Sequence, residues 1–212
     1  MKSRTKILLI GVLFLSIFTI SSCESEEEKR IRLERIEQER IELIKQKEIE
    51  DSIRSIQEEK RKKERELYRK YGNNSLQTGA TPYSYCFGKN HSCKHYGCSQ
   101  IKVRTPYNSD VLVTIKKNGK VFRHAYIRAN SSYTFEMPNG TYQTFFYYGK
   151  GWYPEKIMKK TSCGILKGGF LTDESFGKDF PQTLNNNVLT YELILQKNGN
   201  FSTQPSYKNE AF

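Results

Sequence analysis

Hydrophobic and polar positions follow three successive patterns along this chain of 212 residues. Residues 7–20 form a mostly apolar run. Residues 24–70 contain no glycine or proline and set isolated isoleucines and leucines among charges, which is typical of an exposed helix. From residue 85 onwards, apolar and polar positions alternate with period two between turn residues, which indicates β-strands. The pattern therefore predicts a long charged N-terminal α-helix followed by an all-β, sandwich-like domain.

The charges of the predicted helix are regularly ordered. Acidic residues precede basic residues by four positions, and each such pair stabilises an exposed helix by about a few tenths of a kcal/mol. Examples are the pairs Glu50/Arg54, Glu58/Lys62 and Glu66/Lys70. A helix of this length would extend roughly 70 Å, and Tyr71-Gly72 supplies its end. We expect residues 23–71 to act as a stalk.

Isoleucines along the helix raise the question of a coiled coil. Ile49, Ile53 and Ile56 fit a coiled-coil seam, but the next seam positions are Lys60 and Lys63. A stable coiled coil needs several uninterrupted heptads. The pattern favours a single charged helix or a partial coiled coil over a stable parallel dimer, so weak homodimerisation through the helix stays open.

Turn signals divide the rest of the chain. Small polar residues at 72–84 predict a linker, and residues 85–212 form the predicted β-domain. Within this domain, residues 149–187 show no comparable strand pattern and predict a long loop. Asn118-Gly119 lies between two β-rich runs, which is a strong signal of a type I′ hairpin. The predicted strands cover residues 110–117, 120–127, 132–137, 141–148 and 188–196.

Net charge is concentrated in the predicted β-domain and the linker before it. The chain as a whole carries +12. Residues 24–70 hold 15 acidic and 15 basic side chains and sum to zero. Residues 71–212 hold 17 basic and 8 acidic side chains, a net charge of +9. A basic domain attracts anionic partners such as acidic glycans or phosphorylated headgroups.

The N-terminus carries the features of an export signal. Lys2, Arg4 and Lys6 precede the apolar run, and Ser21-Ser22 lead into Cys23. A cationic start, a short apolar stretch and small residues before a cleavage point describe a secretory signal peptide. An N-terminal transmembrane anchor is the alternative interpretation of the same stretch.

The cysteine at the cleavage point resembles the lipobox of bacterial lipoproteins. That resemblance implies a signal peptide at residues 1–22 and acyl chains, palmitate among them, on Cys23. The acidic tract at residues 24–28 resembles the export signal of Bacteroidetes-type surface lipoproteins. It implies an outer-membrane protein exposed at the cell surface, with the periplasmic face as the alternative. In that location we expect no nucleic-acid partner.

Two resemblances concern the C-terminal part of the chain. The predicted hairpin around residues 137–142 resembles small β-sandwich modules of the PEGA and carboxypeptidase-regulatory type. The sequence from Thr78 onwards is similar to uncharacterised proteins of Bacteroidetes-type bacteria. The first resemblance agrees with a sandwich, and neither implies an activity.

Four cysteines follow the lipidation site. Cys86, Cys93, Cys98 and Cys163 make an even number in an exported chain, which favours two disulfides. Three pairings are open, and Cys86 is expected to pair within the first cluster or with Cys163. Zinc is an alternative, with His91 and His95 as further ligands, but the spacing lacks the paired knuckles of structural zinc sites. We therefore expect disulfides and neither a metal nor another cofactor.

An aromatic segment supplies the candidate binding residues. Neighbouring residues on a strand point to opposite faces, so this segment either forms an exposed platform for sugar rings or a partner, or lies buried under the long loop. Interleaved lysines would attract an anion. The ligand-binding candidates are Tyr147, Lys150, Trp152, Tyr153 and Lys156.

Catalytic patterns are weak. The histidines are His91, His95 and His124, and His124 is predicted on the exposed face of a strand. The residues show no Ser-His-Asp arrangement, and the acids in the predicted long loop, Asp173, Glu174 and Asp179, are typical of solvated or turn positions.

Taken together, these features predict a lipid-anchored cell-envelope protein that displays a non-enzymatic binding or adhesion β-domain on a helical stalk. The lipid anchor would attach it to the membrane, and its ligand would be an anionic glycan or an envelope protein. A structural scaffold that docks an envelope partner is the alternative, and a glycan-active enzyme is the third hypothesis.

Overall fold

The computed structural model describes residues 25–94, 97–193 and 204–212. The predicted signal peptide, Cys23, His95 and the end of the last predicted strand lie outside the described residues. The chain divides into two compact units, with the boundary between Lys60 and Arg61. Within the described ranges, the search for a helix long and apolar enough to cross a membrane found none.

The long predicted helix is confirmed as α1, Glu26–Tyr71, with 46 residues and no buried side chain. Ser25 and Glu28 form a reciprocal capping box at its start. The Ser25 N–H donates to the Glu28 carboxylate at 3.0 Å, and the Glu28 N–H donates to the Ser25 hydroxyl at 3.2 Å. The isoleucines of α1 are exposed, as the prediction of a single charged helix requires.

The predicted β-sandwich is also confirmed. One sheet has the order β4-β1-β8, and the other has the order β3-β2-β5-β6-β9, with β7 paired to the start of β5. Two short helices complete the fold: α2, Ser84–Phe87, and α3, Lys208–Ala211. The strands are β1 Cys98–Arg104, β2 Asp110–Lys117, β3 Lys120–Ile127, β4 Ser132–Pro138, β5 Gly140–Thr161, β6 Gly164–Lys178, β7 Gln182–Leu184, β8 Val188–Glu192 and β9 Gln204–Pro205.

The β2–β3 hairpin follows the sequence prediction. Asn118 and Gly119 both have positive φ, at 52° and 75°, as a type I′ turn requires. Asn can adopt this conformation at little cost and Gly at none. The turn pairs Lys117 with Lys120, and a register shift between Ile115 and Lys116 then places Val113 opposite Ala125.

The predicted long loop at residues 149–187 is wrong. β5 continues to Thr161, and most of the remaining residues belong to β6 and β7. Register shifts interrupt the β5–β6 pairing between Tyr148 and Lys150 and again between Tyr153 and Ile157. Each such irregularity changes which face the next side chain meets, so the alternation with period two is lost from the sequence although the strand continues.

Two apolar cores lie on opposite faces of the larger sheet. The first core lies between the sheets and includes Val113, Phe135 and Phe146. The second core lies on the outer face and includes Leu112, Phe145, Trp152 and Phe170. Residues 76–87 and the C-terminal residues cover it with Leu76, Tyr83, Phe87 and Phe212.

The predicted linker is part of this cover. Residues 72–83 contain no helix or strand. The Gly79 N–H donates to the Tyr126 carbonyl at 2.8 Å, and the Tyr126 N–H donates to the Ala80 carbonyl at 2.8 Å. These bonds fix the segment to the edge of β3.

Candidate functional site

Both predicted disulfides are present. Cys86 pairs with Cys163, and Cys93 pairs with Cys98, with Cα–Cα distances of 5.5 and 6.0 Å. The first bridge joins α2 to the turn between β5 and β6. Oxidised sulfurs are not thiolate ligands for zinc, and within the described residues no three His, Cys, Asp or Glu side chains are grouped as for a metal ion.

The aromatic candidates Trp152 and Tyr147 do not form an exposed platform. The Trp152 side chain is 2% exposed and packs against Tyr126 and Phe170, with ring centroids 5.3 and 5.5 Å apart. Tyr147 is also buried and stacks on Phe176 at 4.4 Å. Of the two alternatives for these rings, the structure shows the buried one, because the second core covers the sheet face that would carry them.

The Tyr147 hydroxyl belongs to a polar network inside this core. It donates to the Glu174 carboxylate and accepts the Phe170 N–H at 2.9 Å. Burial is the main reason why the pKa of Tyr147 is raised, with the Glu174 carboxylate as the next cause. Lys156 completes the network, since its Nζ donates at 2.5 Å to both the Phe170 carbonyl and Glu174. Lys156 is thus held by its own chain rather than offered to a ligand.

His124 is not on an exposed face, which corrects the sequence prediction. The side chain is 0% exposed, and its Nε2 accepts the Tyr83 N–H at 3.1 Å. Burial lowers the pKa of His124 to about 4. A neutral imidazole occupied by a backbone donor stabilises the packing of α2 on β3.

The three acids considered for catalysis each have separate partners. Asp173 pairs with Lys150 at 3.0 Å, and Glu174 belongs to the Tyr147 network. Asp179 accepts the Tyr191 hydroxyl at 2.8 Å. These contacts are those of structural carboxylates.

The remaining candidates, Lys150 and Tyr153, lie near the surface. Lys150 is exposed. Tyr153 is partly buried, and its ring lies 5.0 Å from that of Tyr71, with the Lys70 ammonium 5.0 Å from the Tyr71 ring. Lys150 also borders a depression lined by several polar side chains. None of the other ligand-binding candidates lines it.

This depression, the Tyr107 pocket, has a volume of about 310 Å³. Tyr107 is 83% exposed, the most exposed large apolar side chain among the described residues. The pocket is lined by Gly72, Asn73, Asn74, Ser75, Tyr107, Asn108, Ser109, Asp110, Ala129, Lys150 and Gly151.

The floor of the Tyr107 pocket is fixed by hydrogen bonds. Asp110 accepts the Ala129 N–H at 2.7 Å through one oxygen and the Tyr126 hydroxyl through the other. The Ser109 hydroxyl accepts the Gly149 N–H at 3.2 Å. The polar groups that define the inner wall are therefore already in place before any ligand arrives.

The rim differs from the floor. Over the parts of the chain that the structure describes, the side chains of Asn73, Tyr107 and Asn108 make no hydrogen bond. An aromatic ring offers an apolar face, and amides offer both donors and acceptors. This combination suits a ligand with C–H faces and hydroxyl edges.

Sequence reasoning missed these rim residues. The sequence pattern predicts only a helix end and a linker at Asn73 and Asn74, and it predicts no site in the loop 105–109 between β1 and β2. The available signal was Pro106-Tyr107-Asn108, an aromatic residue between turn formers.

No protein-family model matches this chain, and comparisons with curated proteins and with solved structures find no match either. The site must therefore be interpreted from its own chemistry.

Proposed function

We propose that this protein is a lipid-anchored bacterial envelope protein whose β-domain binds carbohydrate, without catalysing a reaction, at the Tyr107 pocket. The observation that carries the proposal is the exposed Tyr107 ring in one pocket with the amides of Asn73 and Asn108, whose side chains make no hydrogen bond within the described residues. The lipid anchor rests on the sequence around Cys23, and α1 serves as the spacer.

The composition of the pocket supports a sugar ligand. Small-ligand sites combine an apolar contact surface with a few fixed polar groups, in volumes of about 300–1,000 Å³. The Tyr107 pocket is at the lower end of that range, which suits one or two sugar rings. The net positive charge of residues 71–212 favours acidic sugars.

The pocket also supports binding rather than hydrolysis. Glycoside cleavage normally uses two carboxyl groups on opposite sides of the bond. Asp110 is the one acid among the lining residues, and both of its oxygens hold structural donors. A bound glycan would therefore meet hydrogen-bonding groups but no acid–base pair.

Binding can be tested with the purified full chain on an array of neutral and acidic glycans, followed by titration calorimetry of the best ligand. We expect Tyr107→Ala to weaken binding about tenfold, the value of one good aromatic contact. Tyr207→Ala is the matched control, because Tyr207 is 72% exposed and does not line the pocket. Equal affinities for both variants, or no bound glycan, would overturn the proposal.

The anchor and the location need a separate experiment. Metabolic labelling with palmitate should mark the wild-type protein and not Cys23→Ala. Treatment of intact cells with an impermeant protease should then remove the β-domain. Protection until lysis, with cleavage afterwards, would instead favour the periplasmic face and a scaffold that docks an envelope partner.

A further inference from the structure

A second depression lies between the end of α1 and β6, within the unit Arg61–Phe212. Its volume is about 840 Å³. We call it the arginine groove, and it is lined by Arg61, Glu64, Arg65, Leu67, Tyr68, Arg69, Leu171 and Thr172. None of these residues lines the Tyr107 pocket.

Three guanidinium groups follow one another along the groove. Arg61, Arg65 and Arg69 are spaced by four residues, so they share one side of the helix. In the residues that the structure describes, none of the three takes part in an ion pair or a side-chain hydrogen bond. Like charges at this spacing disfavour the helix slightly. Glu64 is the one acid in the groove and leaves its lining with a net charge of +2.

Three arginines elsewhere on α1 form ion pairs with acids three positions earlier. Arg30 pairs with Glu27 at 2.8 Å, and Arg54 pairs with Asp51 at 3.5 Å. Arg40 and Glu37 make a similar contact at 3.9 Å. Within the described residues Arg35 also lacks such a partner, so the groove is distinguished by three arginines without ion pairs that lie together beside Leu171.

The groove also has an apolar surface. Leu67 and Leu171 are partly buried, and Tyr68 is exposed. Leu171 follows Phe170, which is held in the second core, and precedes Thr172, which pairs with Lys150 on β5. The backbone on both sides of Leu171 is therefore fixed, and the apolar side of the groove does not depend on a mobile side chain alone.

We propose that the arginine groove binds a single-chain anionic amphiphile that consists of one acyl chain and a phosphate headgroup. The guanidinium groups bind the phosphate, because arginine forms bidentate, charge-assisted hydrogen bonds with this anion. The acyl chain lies against Leu67, Tyr68 and Leu171. A volume of about 840 Å³ suits one small ligand and favours one chain over the two chains of a bilayer phospholipid.

This site goes beyond the proposed glycan function and does not depend on it. The occupant is taken up as a monomer, so the groove would bind lipid that has left a membrane rather than dock the protein onto a bilayer. Burial of the chain and neutralisation of the phosphate must both contribute. The contributions of the acyl chain and of the phosphate headgroup can therefore be tested separately.

The test is titration of the full chain with a monoacylglycerol phosphate below its micelle concentration. Trp152 is the single tryptophan of the chain and provides a fluorescence readout beside calorimetry. We expect saturable 1:1 binding that Arg61→Gln/Arg65→Gln/Arg69→Gln weakens at least tenfold. The matched control is Arg30→Gln/Arg40→Gln/Arg54→Gln, which removes the same charge from paired positions and should leave binding unchanged.

Three further ligands define the outcomes. Glycerol phosphate, which lacks the chain, and monoacylglycerol, which lacks the phosphate, should both bind at least tenfold more weakly. Equal binding of either ligand would overturn the proposal, as would binding to anionic vesicles with no binding of the monomer.

Tyr68→Ala tests the apolar side with an exposed residue whose loss does not threaten the fold, and it should also weaken binding. Tyr107→Ala should leave amphiphile binding intact, so failure of one site is distinguishable from failure of the other.

Discussion

Asn74 and Trp152 exchange two hydrogen bonds across the junction between α1 and β5. The Trp152 N–H donates to the Asn74 carbonyl at 2.8 Å, and the Asn74 side-chain amide donates to the Trp152 carbonyl at 2.7 Å. Gly151, at φ +70°, permits the approach, since a Cβ there would lie 2.9 Å from the Tyr71 carbonyl oxygen. The exchange holds the residues after α1 against the strand that borders the Tyr107 pocket.

Asn74→Ala should destabilise the protein by about 1–3 kcal/mol, because the Trp152 carbonyl loses its side-chain donor in a partly buried site. Urea denaturation measures the change. Asn73→Ala is the neighbouring control and should stay within about 0.5 kcal/mol of wild type, since Asn73 is exposed. Equal losses in the two variants would show that the Asn74 bond has no special role.

Trp152→Ala should destabilise the protein by about 3–5 kcal/mol, because it removes a large side chain from the second core. The near-ultraviolet circular dichroism and the thermal midpoint should both fall. Tyr107→Ala should change neither, although it is the variant expected to lose glycan binding. A stable Trp152→Ala protein with an unchanged midpoint would contradict the placement of Trp152 in the core.

The two disulfides should differ in their contribution to stability. In the chain-entropy model, a bridge that closes a longer loop restricts the unfolded chain more. Cys86–Cys163 spans 77 residues and Cys93–Cys98 spans 5, which correspond to about 4 and about 2 kcal/mol. Paired serine substitutions, compared by denaturation, should therefore cost about twice as much at the first bridge. A larger loss at the second bridge would contradict this order.

Burial of His124 should make stability fall as the solution is acidified. Its pKa is lowered from 6.5 to about 4 in the folded state, so below pH 6.5 the unfolded chain binds a proton that the folded protein does not. The loss begins near pH 6.5, reaches about 2 kcal/mol by pH 5 and stops growing near pH 4. His124→Gln, which keeps an acceptor for the Tyr83 N–H, should flatten the curve of unfolding free energy between pH 7 and pH 5. His91→Gln, at an exposed position, should keep the wild-type slope.

Short-range sequence patterns predicted α1 and the β2–β3 hairpin, because both elements depend on interactions between residues close together in the chain. α1 follows from its composition and ends at Tyr71, where glycine and asparagines begin. The β2–β3 hairpin follows from Asn118-Gly119. Both predictions needed only the residues within each element and its adjacent turn.

The second core could not be predicted in the same way. Phe145 and Phe146 are neighbours on β5, and both are buried because each face of the larger sheet is covered. The cover comes from residues 76–87 and from Phe212, which are distant in sequence. The aromatic segment therefore does not form an exposed platform. The sequence also did not predict the Tyr107 pocket, because its rim combines residues from the end of α1 with residues from two loops. The even number of cysteines was the one feature of the sequence that predicted contacts between distant residues, and it left the disulfide pairing open.

Lys159 provides a test of the C-terminal part of this cover. Its Nζ donates to the Asn209 carbonyl at 2.9 Å and to the Phe212 carbonyl at 2.6 Å. These bonds hold α3 in place while the Phe212 ring contacts Tyr83, with a centroid distance of 5.3 Å. Lys159→Met keeps the stem of the side chain and removes the donor.

Hydrogen exchange should therefore become at least about tenfold faster at the Ala211 and Phe212 amides in Lys159→Met, because the variant loses both charged hydrogen bonds that hold α3. Exchange in β2 should stay unchanged, because the bulk of the second core is intact. Lys160→Met is the adjacent control, since Lys160 is exposed and its side chain makes no hydrogen bond within the described residues. Equal acceleration in both variants would mean that charge in general, rather than the Lys159 contacts, retains the C-terminal segment on the sheet.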